Sequence, residues 1–299
     1  MSLKCAREVL NFSTVSKEDR FDNPSYDPDK FLNKINSMSP KMSVLLQNIR
    51  DIDKKDFILT GKLYKHFIFT DIRGSSGIKI LISGLIAAGY DFIIDPKGGI
   101  DQDKVKKENP SKFAALSSTA LWKKPMPRKT IKDVLKTFNN RETNVYGDDV
   151  RIIILDNGFK EGIDLLDVKY VHIFEEPLTE ADETQAIGRA LRFCGQKGLP
   201  FGIINGWEIV VTFYISGDGE SFVKKIQSTD KDTVVKNNFI SDITLAMNLG
   251  AFDKDLNHEV NNFENTRVKI MKKIGVAAAG AAAAIGLSAF VINKKIKTK

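Results

Sequence analysis

Apolar residues fall along this chain in two patterns that alternate. Residues 65–70, 90–94, 113–121, 151–155, 169–174 and 207–216 are short runs rich in Ile, Val and Phe, bounded by Gly, Pro or charged residues. Runs of that length without polar alternation predict strands buried on both faces, as in parallel sheets. Between them the apolar spacing becomes helical. Met42, Leu45, Leu46 and Ile49 form one stripe of a helix over residues 40–50, with Ser39 as its cap and Pro40 at its first position. Residues 78–88 form a second helix, ended by Gly89. Thr130 caps a third, with Ile131, Val134, Leu135 and Phe138 on one face. Thr179 or Asp182 caps a fourth through Arg192, with acidic residues in its first turn. Residues 95–110 read as a charged loop, Gly217-Asp218-Gly219 as a turn, and residues 222–252 as helical material. Strand alternating with helix predicts an α/β fold: a single domain built on a parallel sheet with right-handed crossovers and flanking helices.

The two ends break this rhythm. Residues 1–35 are polar and rich in turn formers, and read as a loosely ordered lead-in to a domain over residues 36–255. A linker over 256–273 leads to residues 274–292, which are 19 residues without a charge and with Ser288 as the one polar side chain. As a helix this segment would span roughly 28 Å, close to a hydrocarbon core. Lysines flank it, and residues 293–299 form a basic tail. The expectation is a single-pass C-terminal membrane anchor, with the lipid bilayer as a partner.

Charge changes the picture by its location. The formal charge is +7, from 45 basic and 38 acidic residues. Eight basic residues and no acidic one lie from Arg267 onward, which leaves 37 against 38 in residues 1–266. The globular part is nearly neutral, so any polyanion contact there would be a local patch and weak. The lysine clusters within residues 97–107 and 123–129 are the places for it, though acidic residues interrupt the first. Cys5 and Cys194 stand far apart in unlike contexts, which fits a reducing compartment. His66, His172 and His258 show no metal-ligand spacing, so no metal site is expected, and the first two read as packed core histidines. Residues 1–11 lack a sustained apolar core, so no signal peptide is expected. Gly74-Ser75-Ser76-Gly77 reads as a plain strand-to-helix turn or, less readily, a phosphate cradle.

The chemistry concentrates in residues 150–201. A Gly-rich loop over residues 157–164 joins two of the strands. On the helix that follows, Gln185, Gly188, Arg189 and Arg192 fall at i, i+3, i+4 and i+7 and share one face. Two guanidiniums, an amide and a glycine that permits close approach suit phosphate oxygens. The alternative is a solvated face, or one paired with Asp164, Glu175 and Glu176.

The segments Gly158-Phe159-Lys160-Glu161-Gly162-Ile163-Asp164-Leu165 and Gln185-Ala186-Ile187-Gly188-Arg189-Ala190-Leu191-Arg192 resemble motifs V and VI of superfamily 2 helicases. The continuation Phe193-Cys194-Gly195-Gln196-Lys197-Gly198-Leu199-Pro200 resembles the branch found in large DNA viruses. That branch includes the small subunit of the poxvirus early transcription factor and nucleoside triphosphate phosphohydrolase I. Ser39, Lys41, Leu45 and Leu46, and the region around residues 65–94, resemble the entry and motif IV of the same domain.

The resemblance implies the second RecA-like domain of a helicase. In that family ATP sits between two such domains, and motif VI arginines act like an arginine finger. By position Arg189 and Arg192 match those arginines and Gln185 the leading glutamine, with Gly188 beside them. Gly162 and Asp164 match the motif V positions that line the cleft. No G-x-x-x-x-G-K-[ST] occurs in these residues, so no cofactor is expected to bind the chain alone, and ATP with Mg²⁺ only with a partner domain. The arginines then act in trans on a partner, bind phosphate or nucleic acid weakly, or persist as structure.

Three functions follow. One is a structural protein, not itself an enzyme: a minor capsid or internal-membrane virion protein of a large DNA virus, linking other virion proteins to the bilayer. The anchor and the near-neutral domain favour it. Another is the second half, as subunit or fragment, of a DNA-dependent ATPase or helicase of viral early transcription, completed by a separate Walker A domain. The last is a module binding nucleic acid at the membrane.

Overall fold

The computed structural model describes residues 8, 10–159, 162–175, 177, 179–192, 194–200, 208–216 and 289–297. Its strands are β1 (Lys65–Thr70), β2 (Asp91–Phe92), β3 (Lys112–Leu116), β4 (Ile152–Asp156), β5 (Val168–Ile173), β6 (Glu208–Ser216) and β7 (Ala289–Lys297). They form one sheet in the order β2-β3-β4-β1-β5-β6-β7. The first six run parallel, and β7 pairs antiparallel with β6 at the edge. The α/β class and the parallel sheet are therefore as the spacing predicted, and the arrangement is consistent with a RecA-like domain. Every residue of β1, β3, β4 and β5 is buried, which is why these runs lack polar alternation.

The described helices are α1 (Pro28–Met38), α2 (Pro40–Thr60), α3 (Ile78–Ala87), α4 (Gln102–Lys106), α5 (Arg128–Phe138) and α6 (Glu180–Ile187). The chain passes from β1 to β2 in one direction across the sheet and from β3 to β4 in the other. Right-handed crossovers then put α3 and α5 on opposite faces. Neighbouring residues of β1 agree. Lys65 turns one way and donates to the Phe138 carbonyl of α5 at 2.8 Å, while His66 turns the other way to Asp53 of α2 at 3.1 Å. Burial brings the Lys65 ammonium down to about 7. Helix α3 is apolar almost all round and buried on nearly every side, with Gly84 so close to α2 that a Cβ there would stand 2.0 Å from Met42 Cε.

Several expectations need correction. Helix α2 continues to Thr60 and stops at Gly61, whose φ of 66° favours glycine. Its second half has no apolar stripe because carboxylates hold it. Asp53 pairs with Arg151, and Asp56 accepts from Lys169 at 3.0 Å and from the Tyr170 hydroxyl at 2.7 Å. Strand β3 ends at Leu116, and the loop expected over residues 95–110 contains the short α4. The Lys112 ammonium pins α4 by donating to the carbonyls of Val105 and Lys107 at 2.6 and 2.8 Å. Helix α5 is capped at Pro127, and the Thr130 hydroxyl instead donates to the Gly98 carbonyl.

Where it is described, the lead-in expected to be loose is packed. Phe12 and Phe31 are buried in the core, and the Tyr26 hydroxyl donates to the Ser83 carbonyl of α3 at 2.6 Å. Of the segment expected to cross a membrane, residues 274–288 lie outside the described residues, as do the predicted turn at 217–219 and the helical material at 222–252. Its last four residues, Ala289–Ile292, are not helical. They belong to β7, where Phe290 to Ile292 stand opposite Ile215 to Phe213. Among the described residues no helix is long and apolar enough to cross a membrane.

A buried polar chain crosses one face of the sheet. The Asn48 amide of α2 donates to the Tyr214 hydroxyl of β6 at 2.7 Å, and that hydroxyl lies 2.9 Å from His172 Nδ1 on β5. His172 Nε2 lies 2.9 Å from His66 Nδ1, and His66 Nε2 lies 3.1 Å from Asp53, whose other oxygen receives Arg151 at 2.5 Å. One assignment of protons satisfies the whole run: Tyr214 donates to His172, His172 to His66, and His66 to an ionised Asp53. Both histidines are then neutral. Burial pushes both imidazoles below their ordinary value, against the pull of Asp53 on His66. For Asp53, burial alone would raise the carboxyl, but His66 and Arg151 hold it below the usual range.

Because the folded chain resists these protons while the unfolded chain takes them near pH 6.5, stability is lost as pH falls through that value. Both groups contribute to this loss in the same direction. Urea midpoints should therefore drop across this window in the native chain and drop about half as far in His172→Gln. An equal pH dependence in the two would contradict a neutral pair.

Candidate phosphate-facing site at the carboxyl edge of the sheet

In an open parallel sheet, ligand-binding loops gather beyond the carboxyl ends of the strands, where the crossover direction reverses. Here three carboxylates lace the loops after β1, β3, β4 and β5 together. Asp156, fully buried at the end of β4, accepts from Ser117 Oγ and the Ser118 amide, both at 2.8 Å, and from the Gly158 amide at 2.9 Å. Glu175, just past β5, accepts from Thr70 Oγ1 at 2.9 Å, the Asp71 amide at 2.8 Å and Asn11 Nδ2 at 2.6 Å. Asn11 in turn accepts from the buried Lys41 ammonium at 2.6 Å. The third is Asp71, which receives the Asn157 side-chain amide. The Gly-rich turn begins on this base. Gly158 is so close to the neighbouring loop that a Cβ there would stand 2.1 Å from Ser118 Cβ, while Gly162 is exposed with φ 80°.

The helix expected through Arg192 is shorter. Thr179 Oγ1 caps α6 by accepting from the Asp182 amide at 3.1 Å, and regular helix ends at Ile187, with Gly188 as C-cap. Residues 188–190 continue as a turn, so the four motif residues do not share one unbroken helical face. The structure nevertheless brings Gly162, Asp164, Arg189 and Arg192 together, through backbone contacts that spacing does not reveal. Arg189 Nη1 donates to the Ile163 carbonyl at 2.9 Å, and Arg192 Nη2 approaches the same oxygen at 3.5 Å. The Leu165 amide donates back to the Arg189 carbonyl at 2.9 Å. Arg192 Nε forms an ion pair with Asp164 at 2.6 Å, with side-chain exposures of 40% and 60%. Gln185 stands beside Arg189, whose Nε donates to the Gln185 carbonyl at 3.3 Å. Its own Oε1 is buried without a hydrogen-bond partner among the described residues.

The two arginines therefore differ. Arg189, 8% exposed, is fixed by carbonyls and serves as a brace. Arg192 is half exposed and paired with a half-exposed carboxylate, an arrangement that contributes little to stability and exchanges readily for another anion. A guanidinium placed so can donate to phosphate oxygens bidentately. Among the described residues no group of His, Cys, Asp and Glu could hold a metal ion.

Three supporting residues had no signal in the motifs. Asn139, at the end of α5, reads the loop as a strand would. It donates to the Asp164 carbonyl at 2.9 Å and accepts from the Leu166 amide at 2.8 Å. Asp167, buried at φ 58°, accepts from Arg141 Nε at 2.9 Å and from the Gly198 amide at 2.8 Å. Arg141 also donates to the carbonyls of Cys194 and Gly195 at 2.9 and 2.8 Å, so the turn beyond Arg192 is clamped to the turn before β5. Gly74–Ser76, weighed above as a phosphate cradle, forms a single 3-10 turn. A Cβ at Gly77 would collide with the Ile72 carbonyl at 1.9 Å, so the glycine there answers to backbone crowding.

Residues 100–194 match the helicase conserved C-terminal domain family. Curated relatives include a protein described as a putative ATP-dependent RNA helicase of Acanthamoeba polyphaga mimivirus, 34% identical over 133 residues, or 42% of this chain and 16% of that one. A second mimivirus protein with the same description is 27% identical over 174 residues, covering 57% of this chain and 25% of that one. The termination factor NPH-I homolog of African swine fever virus is 25% identical over 173 residues, covering 54% and 24%. The chain thus spans between about a sixth and a quarter of the length of these relatives. Among solved structures, the C-terminal part of the Fun30 ATPase domain is similar at 18% identity and a TM-score of 0.41, over 68% of this chain and 53% of that one. Residues 100–194 thus match a helicase conserved C-terminal domain, and the resemblance to helicases of large DNA viruses holds.

Proposed function

We propose that this chain is the second half of a nucleic-acid-dependent ATPase, contributing arginines to a nucleotide held by a separate Walker A domain. The single observation that carries this reading is the contrast at motif VI, where a braced Arg189 holds a half-exposed Arg192 at the carboxyl edge of the sheet. A purely structural relic has no need to keep the second guanidinium on so weak a partner. The relatives described as ATP-dependent RNA helicases, and the termination factor homolog, support an activity on nucleic acid. A bracket between a virion shell and a bilayer has no such support, since neither the relatives nor the described residues point to a capsid or a membrane.

In this mechanism the partner domain binds the phosphates and the metal. Arg192 leaves Asp164 to meet the negative charge that develops on the transferring phosphoryl group, while Arg189 keeps the turn in place. Gly162 and Asp164 line the approach, and Gly188 lets the nucleotide come close. An arginine in that role is worth about 10³–10⁵ in turnover.

The test is hydrolysis of Mg–ATP in the presence of nucleic acid by the full chain, alone and mixed with a separate Walker A domain. The chain alone should give no turnover above background, and the mixture should hydrolyse ATP. Arg192→Ala should reduce that turnover by at least about 10²-fold while changing folding stability by under about 1 kcal/mol. Arg189→Ala should lose turnover and also about 1–3 kcal/mol of stability, because the Ile163 carbonyl loses its shorter hydrogen bond. Turnover insensitive to Arg192→Ala, or turnover by the chain alone, would overturn the proposal.

A further inference from the structure

We infer that two copies of this chain join through the amino edge of the sheet, the protruding end of α2 from each copy seating in a groove beside the same helix end of the other. The contact uses no motif residue and stands apart from the ATPase reading above.

The groove encloses about 490 Å³ and is lined by parts of three segments, residues 57–63, 105–112 and 146–149. These lead into β1, β3 and β4, which are neighbours in the sheet. The groove therefore lies at the amino ends of the parallel strands, opposite the edge that carries Arg189 and Arg192. Its walls are fixed. The buried Lys112 ammonium holds the second segment by its donations to the carbonyls of Val105 and Lys107, and the Tyr146 ring of the third meets Tyr64 edge-on at 5.7 Å. On one side the last turn of α2 stands clear of the sheet. Phe57, Ile58 and Leu59 are 61, 72 and 61% exposed, and they are the large apolar side chains that stand exposed among the described residues. Consecutive helical residues point about 100° apart, so three in a row do not share a face. All three meet solvent because the helix end projects as a peg.

A contiguous apolar patch of this kind marks a contact with another molecule, and the rim selects which. Apart from the buried Lys112, the lining charges are Lys62, Lys106 and Lys107 with Glu108, Asp148 and Asp149, three of each sign. A polyanion, an anionic bilayer or a strongly charged protein would meet as much repulsion there as attraction. A second copy presents the same mixture, and turned by a twofold axis it sets cations against anions. Peg and groove also lie side by side, since Phe57 belongs to the peg and lines the groove. A twofold contact requires that layout, because each copy must offer both the inserted part and the recess. Ile58 and Leu59 of one copy then leave water against the groove of the other, and the reverse holds by symmetry. No motif residue is covered, so each copy keeps its carboxyl edge open to a Walker A domain.

The experiment is sedimentation equilibrium of the full chain over a range of concentrations. The native chain should approach twice the mass of one copy as concentration rises. Ile58→Glu, at a position exposed in the single copy, should weaken association by about tenfold or more with the circular dichroism spectrum unchanged. Lys106→Glu/Lys107→Glu makes the rim acidic, and Glu108→Lys/Asp148→Lys makes it basic. Each of these should remain a single copy alone, and an equimolar mixture of the two should pair. A native chain that stays single at every concentration, a dimer indifferent to Ile58→Glu, or a mixture that pairs no better than its parts would each overturn the inference. A chain that stays single yet binds phosphatidylserine vesicles, and loses them in Ile58→Glu, would mark a lipid surface as the partner and overturn it as well. Hydrolysis enters none of these readouts, so this inference and the preceding proposal fail separately.

Discussion

The carbonyl of Ile163 takes a hydrogen bond from Arg189 at 2.9 Å and lies 3.5 Å from Arg192, and the form of the carboxyl edge follows from that one acceptor. A buried guanidinium must find oxygen or lose several hydrogen bonds to water. By supplying a main-chain oxygen, the Gly-rich turn binds the end of α6 to itself. Asp164 is then left for Arg192 alone, near solvent, in a pair weak enough to open. Asn139 and the Arg141–Asp167 clamp keep the turn from drifting, so that the carbonyl stays where Arg189 needs it. The outcome is an edge whose frame is braced and on which Arg192 stays half exposed.

Around α2 the problem is opposite. There His66 of β1, Lys169 and His172 of β5, Tyr214 of β6 and Arg151 just before β4 lie in an interior that has little water. Helix α2 meets them with Asn48, Asp53 and Asp56, so each of these polar groups has a partner. The run from Asn48 through Tyr214 and the two histidines to Asp53 works only with one tautomer of each ring, which ties the register of three strands to one helix. A slip of one residue in β1 or β5 would turn an imidazole to the wrong face. Such a network specifies the sheet more than it stabilises it, since its desolvation cost offsets much of its attraction.

How much of this could be read in advance follows from which forces act locally. Strands β1, β4 and β5 were legible because full burial on two faces leaves an uninterrupted apolar run. Helices α3 and α5 were legible within three residues at either end because their apolar spacing and terminal signals are local. The second half of α2 was not, since Asp53 and Asp56 are explained only by Arg151 and Lys169, about a hundred residues away. The same distance hid the contact between His66 and His172. Helix α6 was read too long because Gly188, Arg189 and Arg192 keep a helical spacing in a turn that is no longer helix. At the candidate site the motif residues stood out by type, whereas Asn139, Arg141 and Asp167 are ordinary surface-loop residues until the fold brings them to the motif V turn. Residues 289–292 misled for a different reason. An apolar stretch suits a bilayer and a sheet edge equally well, and only the pairing with β6 decides.

Arginine side-chain nitrogens report the central claim most directly, because a guanidinium locked by carbonyls and one loosely paired with a carboxylate rotate at different rates. In a proton–nitrogen correlation spectrum of the full chain, assigned with Arg189→Lys and Arg192→Lys, Arg189 should show separate, exchange-protected Nη signals and Arg192 a single averaged one. Averaged signals from both, or the protected set assigned to Arg192, would mean that Ile163 does not brace the motif.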